Sequence, residues 1–126
     1  MTPRNPYEKY RNTQITTASP ARLVLLLYEG ALKHLCIGER NIADPGGFTE
    51  ASMSLLKTMN IIAELLGVLN PNASPELAGG LSEIYRYSLE LIGRGLRERD
   101  PAPLAEARRH LTTLADAWRE IAQSAA

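Results

Sequence analysis

Apolar residues recur at helical spacing along nearly the whole chain, and short runs of helix-breaking residues divide the pattern into four stretches. The breakers are DPGG at 44–47, NPN at 70–72 and DP at 100–101. Proline and glycine end a helix there, and Ser or Asp before Pro favours a new helical start. The pattern predicts helices over residues 19–43, 48–70, 74–99 and 101–124, preceded by a segment, 1–18, that forms a short helix or an extended arm.

Short connections between the predicted helices indicate how they pack. Such loops force neighbouring helices to run antiparallel. The fold class expected is therefore all-α, an antiparallel up-down-up-down four-helix bundle with a short N-terminal arm or helix. A chain of 126 residues suits one such domain, residues 1–126, built around a single core.

The first predicted helix is apolar around almost its whole circumference. Six apolar residues stand in a row from Leu23 to Tyr28, whereas a helix packed on one face shows polar gaps between its apolar positions. The second helix likewise carries two apolar stripes. Either the bundle buries both faces itself, or one face is left to bind a partner. In the second case the surplus apolar residues that form a groove are Leu25, Tyr28 and Leu32 on the first helix and Ile61, Leu65 and Val68 on the second.

The third and fourth helices each show a narrower apolar line that we expect to face the core. On the third helix this line is Leu77, Leu81, Ile84, Ser88, Leu91 and Gly95. On the fourth it is Leu104, Ala107, Leu111, Leu114, Trp118 and Ile121.

Charge and hydropathy exclude several classes of partner. Fourteen Lys and Arg side chains balance fourteen Asp and Glu, so no long-range field attracts phosphate backbones or anionic membranes. No run reaches the roughly 18 apolar residues that a membrane-spanning helix needs, and the first residues lack the apolar stretch of a signal peptide. We expect a soluble, cytoplasmic protein that binds neither nucleic acid nor a membrane.

Side chains that carry catalysis or bind metals are sparse. His34 and His110 lie on different helices, and neither has a second histidine or a cysteine at metal-ligand spacing. Glu106 and His110, four residues apart, are expected to be a solvated pair, and Cys36 a small core residue. We therefore expect no catalytic residue, no cofactor and no metal.

Glycines and arginines leave two further interpretations to consider. The glycines at 79–80 and 93–95 lack the strand and the Lys-Ser/Thr pair of a phosphate loop, so they indicate local looseness or close helix packing. A small all-helical enzyme that holds a dicarboxylate in a bundle cavity is an alternative. Its candidate residues are Arg22, Arg86 and Arg94, with no acid or base evident beside them.

Motifs along the chain are similar to those of one known family. Asn5-Pro6-Tyr7-x-x-Tyr10, then TQIxTASP at 13–20 and LVLLLYEGA at 23–31, closely resemble the opening of the flagellar secretion chaperone family, the FliS-type flagellin export chaperones. Leu81, the pair Tyr85 and Tyr87, and later Leu111, Leu114 and Trp118 recur in the same order in that family.

The resemblance implies a function. Such chaperones are non-enzymatic helical bundles that bind the disordered C-terminal segment of flagellin in hydrophobic surface grooves, prevent its premature polymerisation and aid its delivery to the flagellar type III export apparatus. The family also has an N-terminal arm that covers part of this surface until flagellin replaces it. In this chain the arm residues are Tyr7, Tyr10 and Ile15, unless the two tyrosines simply fix the arm to the bundle permanently.

Partners beyond flagellin are left open by the resemblance, including components of the export apparatus and regulators. The alternative among binding proteins is a helical adaptor or co-chaperone for another secretion substrate or regulator.

Overall fold

Four helices make up the part of the protein that the computed structural model describes, residues 20–69 and 74–124. They are α1 (Pro20–Asn41), α2 (Phe48–Gly67), α3 (Pro75–Glu98) and α4 (Pro101–Ser124), with a 3₁₀ turn, Pro45–Gly47, before α2. Neither described range contains a strand. The expected all-α, four-helix fold is confirmed, whereas the predicted arm, 1–18, lies outside the described residues.

The helices occupy the corners of a square in chain order. α1 packs on α2 and α4, and α3 packs on the same two helices from the opposite corner. One end of the bundle therefore brings together the start of α1, the end of α2, the start of α3 and the end of α4. We call this the upper end, and the opposite end the lower end.

Local signals set the turn between α3 and α4 at the lower end. Arg99 adopts a left-handed conformation (φ 51°, ψ 45°) that ends α3, and the Asp100 N–H donates to the Gly95 carbonyl at 3.0 Å, as in a Schellman cap. The Asp100 carboxylate then accepts the Ala102 N–H at 3.0 Å. Pro101 occupies the first position of α4, where a helix has no use for an N–H. The chain thus reverses within two residues.

The core is built from aliphatic side chains of all four helices around two tyrosines. Tyr28 on α1 and Tyr85 on α3 are fully enclosed, and their hydroxyls are hydrogen-bonded to each other across the diagonal of the bundle. Burial, and then the bond to Tyr85, raise the pKa of the Tyr28 hydroxyl well above its ordinary value, while the Trp118 indole N–H, hydrogen-bonded to Tyr28, has the opposite, smaller effect. Burial also raises the pKa of Tyr85. Both phenols are therefore neutral at physiological pH.

Glycine sets close helix approaches toward the lower end. A Cβ on Gly38 of α1 would lie 2.3 Å from Cδ2 of Leu55 on α2, and one on Gly95 of α3 would lie 2.6 Å from Cδ2 of Leu104 on α4. Both distances are far below van der Waals contact. By contrast, a Cβ on Gly79 or Gly80, at the start of α3, would meet nothing within 4 Å. Close packing at Gly95 and open space at the 79–80 pair agree with the two roles expected for these glycines.

A partly exposed ion pair also joins α1 to α4. The Nε of Arg108 lies 2.7 Å from the Glu39 carboxylate, and a second guanidinium nitrogen donates to the same carboxylate at 3.3 Å. The hydrogen bond to Glu39 raises the pKa of Arg108. Solvent screening limits such a pair to below about 1 kcal/mol, so it orients the two helices more than it stabilises them.

Replacing Gly38 with alanine should separate packing from helix propensity. The Gly38→Ala methyl group overlaps Leu55, so we expect it to lower the free energy of unfolding by about 1–3 kcal/mol. Gly80→Ala, the matched control in open space, should instead raise it by about 0.5–1 kcal/mol, because alanine favours helix. Urea unfolding followed by circular dichroism measures both. Equal effects of the two substitutions would show that α1 and α2 are not in close contact at Gly38.

Removing one hydroxyl of the tyrosine pair should destabilise the bundle unequally. Tyr28→Phe removes the hydroxyl that is the hydrogen-bond partner of both the Tyr85 hydroxyl and the Trp118 indole N–H. We therefore expect the free energy of unfolding to fall by about 1–3 kcal/mol. Tyr85→Phe should cost less, since the Tyr28 hydroxyl keeps the indole N–H. The double variant should lose less than the sum of the two, as a double-mutant cycle in urea will measure. Additive losses of equal size would exclude the pair as a coupled unit.

Candidate functional site

An apolar cleft of about 200 Å³ opens at the upper end of the bundle. α1 contributes Val24, the last turn of α2 contributes Leu65, and α4 contributes Trp118. The remaining lining residues are Val68, Leu69, Ser74, Leu77, Ala78 and Tyr85. Among the described residues of the lining, the polar side-chain atoms are the hydroxyls of Ser74 and Tyr85 and the indole N–H of Trp118. The cleft is therefore suited to apolar side chains.

Large apolar side chains remain exposed around this cleft. Val68 is 61% exposed and Leu77 is 58% exposed. Leu23, Leu26 and Ile121 are also exposed at the upper end. Each square ångström of such surface costs about 25 cal/mol to keep in water, and a cluster of exposed apolar side chains is typical of a protein interaction site.

A groove of about 640 Å³ continues from the cleft along the seam between α2 and α3. Leu69 and Ala78 line both the cleft and the groove, so the two form one surface. The other groove residues are Ala63, Leu66 and Gly67 on α2 and Pro75, Gly79, Ser82 and Arg86 on α3. Small side chains at four of these positions leave room for another chain, as in grooves that accept an amphipathic helix.

The base of the cleft rests on the buried tyrosine pair. Tyr85 lines the cleft while its hydroxyl is bonded to Tyr28 in the core. Trp118 is half-buried and lies beside them with its ring at the edge of the cleft. The base of the cleft is therefore held by side chains of the core.

A second depression, between α3 and α4 at the lower end, is polar. The Tyr87 hydroxyl donates to the Glu106 carboxylate at 2.5 Å, and Nε2 of His110 lies 3.5 Å from the same carboxylate. This hydrogen bond from Tyr87 is the main reason why the pKa of Glu106 is lowered. The same bond raises the pKa of the Tyr87 hydroxyl. Glu106 and His110 thus lie side by side, with Tyr87, in a small surface network. In residues 20–69 and 74–124, no three His, Cys, Asp or Glu side chains are placed to hold a metal ion.

The arginines of the enzyme alternative do not share a cavity. Arg86 lines the groove between α2 and α3, whereas Arg94 lines the polar depression between α3 and α4. Arg22 is exposed on the first turn of α1. In the part of the chain that the structure describes, Arg86 and Arg94 thus line two separate depressions and do not converge on one dicarboxylate site.

The predicted groove residues of α1 lie mostly inside the bundle. Leu25 is 5% exposed and Tyr28 is fully buried; Leu32 is half-buried against the core. In the run from Leu23 to Tyr28 each residue turns the helix by about 100°, so Leu25 and Tyr28 point inward while Leu23 and Leu26 point out. For Leu25 and Tyr28 the expectation of a surface position is wrong.

The predicted residues of α2 are divided between core and surface. Leu65 is buried at the base of the cleft, and Val68 is exposed at its rim. Ile61 is half-buried, with its Cδ1 3.5 Å from the position of a Cβ on Gly30 of α1. The structure thus brings Leu65 and Val68 together at the cleft and leaves Ile61 in the seam between α1 and α2. The predicted arm residues Tyr7, Tyr10 and Ile15 lie outside the described residues.

Sequence reasoning missed several residues of this surface. Leu77 and Ile121 are expected from their spacing to face the core. This expectation is wrong for both residues, since each is at least half exposed. The buried line of each helix runs through the neighbouring residue, Ala78 on α3 and Ala122 on α4, so that Leu77 and Ile121 are turned outward. The small residues Gly67, Gly79 and Ser82 also gave no binding signal. Their one shared clue is that they stand on two consecutive helices.

None of the helices in the two described ranges is both long and apolar enough to cross a membrane.

Comparisons with known proteins show similarity along nearly the whole chain. The sequence model of the family described as Flagellar protein FliS matches residues 3–125. The Flagellar secretion chaperone FliS of Bacillus subtilis (strain 168) is 32% identical over 124 residues, which cover 98% of this chain and 91% of the relative. The protein of the same name from Salmonella typhimurium is 29% identical, over 88% of this chain and 82% of its own length. Flagellar secretion chaperone FliSB of Pseudomonas aeruginosa is 28% identical, over 83% and 82%.

Proposed function

The chain belongs to the FliS family of flagellar secretion chaperones, and from this membership we propose that it binds flagellin in the cytoplasm and delivers it for export. Members of this family are chaperones and not enzymes. A chaperone of this kind must hold its substrate on the side of the membrane where the substrate is made.

The observation that carries the proposal is the continuous apolar surface formed by the cleft and the groove, which share Leu69 and Ala78. The proposed ligand is the disordered C-terminal segment of flagellin, which becomes helical as its apolar face enters the groove. Ordering the segment offsets part of the binding free energy, so the complex remains releasable. A segment held in this way is not available for polymerisation.

Particular side chains take different parts in the proposed surface. Val68 and Leu77 are exposed and contact the partner directly, while Leu65 lies beneath them at the base of the cleft. Leu25 and Tyr28 are enclosed and act only by supporting this base. Leu32 and Ile61 are half-buried and remain proposed contacts at the margin.

The N-terminal arm is proposed to cover the cleft in the free protein. α1 begins at Pro20 at the upper end, and Val24, one turn later, already lines the cleft. An extended chain covers about 3.3 Å per residue, so Ile15, Tyr10 and Tyr7 are all within reach of it. Covering the apolar side chains would limit aggregation until flagellin displaces the arm.

Leu77 and Met53 provide a matched test of the proposed surface. Both are 58% exposed, but Leu77 lines the cleft and Met53 lines neither the cleft nor the groove. We expect Leu77→Gln to weaken binding of a flagellin C-terminal segment about tenfold, because a buried apolar contact of roughly 1.5 kcal/mol is lost. Met53→Gln should leave the affinity unchanged. Isothermal titration calorimetry of the full chain measures both affinities, and circular dichroism confirms that both variants fold.

The same titration decides the broader proposal. No binding of the flagellin segment to the wild-type chain at micromolar concentration would contradict the proposed substrate and favour the adaptor alternative. Equal losses for Leu77→Gln and Met53→Gln would place the flagellin site elsewhere on the bundle.

Tyr10→Ala tests whether the arm competes with flagellin. Losing an anchor of the cover should expose apolar surface, so we expect the free variant to bind the dye ANS more strongly and to bind the flagellin segment several-fold more tightly. Dye fluorescence and calorimetry measure the two effects, with Tyr87→Ala, on the α3–α4 side, as the control. A weaker affinity would instead show that Tyr10 contacts flagellin, and unchanged dye binding would contradict a covering arm.

A further inference from the structure

Among the residues that the structure describes, 20–69 and 74–124, Arg86 is the one charged side chain that lines the groove between α2 and α3. The α2 wall opposite it consists of Ala63, Leu66 and Gly67. A chain bound in this groove would therefore meet an apolar wall on one flank and a guanidinium on the other.

Contacts along α3 direct this guanidinium into the groove. Glu83 and Glu90 stand three residues before and four residues after Arg86, the spacing at which helical ion pairs form. Neither pairs with it. Instead its Nε donates to the hydroxyl of Ser82 at 3.2 Å, and Ser82 is itself a groove residue. The Arg86 side chain thus lies beside another groove residue and is not paired with a carboxylate of its own helix.

The guanidinium keeps most of its donor capacity. An arginine has five N–H donors, and the bond to Ser82 uses one. The ion pairs found among residues 20–69 and 74–124 are Glu39 with Arg108, Glu106 with His110 and Asp116 with Arg119. None of them includes Arg86. Its two terminal nitrogens remain able to bind a carboxylate side-on.

We infer that Arg86 is a specificity-determining residue of the groove and pairs with a carboxylate of the bound segment. The inference rests on the proposed function and adds a chemical requirement to it. The ligand is an amphipathic helix with a carboxylate at the edge of its apolar stripe, on the flank that faces α3. That carboxylate belongs either to an Asp or Glu side chain or to the C-terminus of the segment.

Burial by the ligand makes the pair effective. Arg86 is exposed in the free protein, where water screens its charge. A helix seated in the groove excludes water from one side of the guanidinium, and an ion pair formed there gains strength as its surroundings lose polarity. A ligand with Lys or Arg at the same position would be repelled, so the charge also selects against such helices.

A double-mutant cycle tests the pairing. The chaperone variants are Arg86→Gln and the control Arg40→Gln, which removes the same charge from an exposed site on the last turn of α1. Each is titrated with the flagellin C-terminal segment, with versions in which one Asp or Glu at a time is replaced by its amide, and with a version amidated at the C-terminus. The last version distinguishes a terminal carboxylate from a side chain.

We expect Arg86→Gln to weaken binding of the unmodified segment about tenfold and Arg40→Gln to leave it unchanged. Neutralising one particular carboxylate should weaken binding to the wild-type chain by a similar factor, with no further loss in the Arg86→Gln variant. Arg86→Lys should restore only part of the affinity, because lysine lacks the bidentate fork.

Two results would overturn the inference while leaving flagellin binding intact. One is an unchanged affinity of the Arg86→Gln variant for the segment. The other is that neutralising each carboxylate lowers the affinity of this variant by the same factor as that of the wild-type chain. Failure of the wild-type chain to bind the segment at all would instead overturn the proposed function, and this inference with it.

Discussion

Side-chain size along the bundle axis sets where the helices meet and where they separate. Toward the lower end, Gly38 lies against Leu55 and Gly95 against Leu104, at distances that leave no room for a methyl group. Nearer the upper end, two tyrosines fill the diagonal between α1 and α3. Large rings hold helices further apart than glycines do. Among the described residues, these closest glycine contacts thus lie toward the lower end, whereas the cleft lies at the upper end.

The exposed apolar residues at the upper end are not needed for core packing, but they can bind a partner at the cleft. Val68 and Leu77 are exposed beside the cleft, and the groove continues between α2 and α3 where Gly79 and Ser82 leave space. Since the base of the cleft is Tyr85, bonded to Tyr28, the binding surface is formed before a ligand arrives. A preformed surface lowers the ordering cost to that of the incoming segment. That division suits a chaperone whose substrate is disordered and must later be released.

Sequence patterns predicted the helices better than the faces they present. Proline starts and glycine-rich breaks are local signals, and α1, α3 and α4 begin at Pro20, Pro75 and Pro101. The excess of apolar residues was also evident. The sequence did not show which of these residues face outward, because a run of six apolar residues has no polar position to mark the exposed face of the helix. The pattern therefore does not distinguish the buried Leu25 and Tyr28 from their exposed neighbours. Leu77 matches the spacing of Leu81 and Ile84, but the buried line of α3 runs through Ala78 instead. The groove itself depends on residues with little or no side chain, and these carry no hydrophobic signal.

Apolar burial and charge have different roles in a groove of this kind. Burial is non-directional, so a helix that slides along the α2–α3 seam by one turn, about 5.4 Å, exchanges one set of leucine contacts for a similar set. An apolar groove therefore supplies affinity but specifies position poorly. A single guanidinium on one wall penalises every register that leaves it facing an apolar or basic side chain. Because Arg86 lines the groove and is bonded to Ser82, not to Glu83 or Glu90, the charge lies where it can fix both the register and the direction of a bound helix.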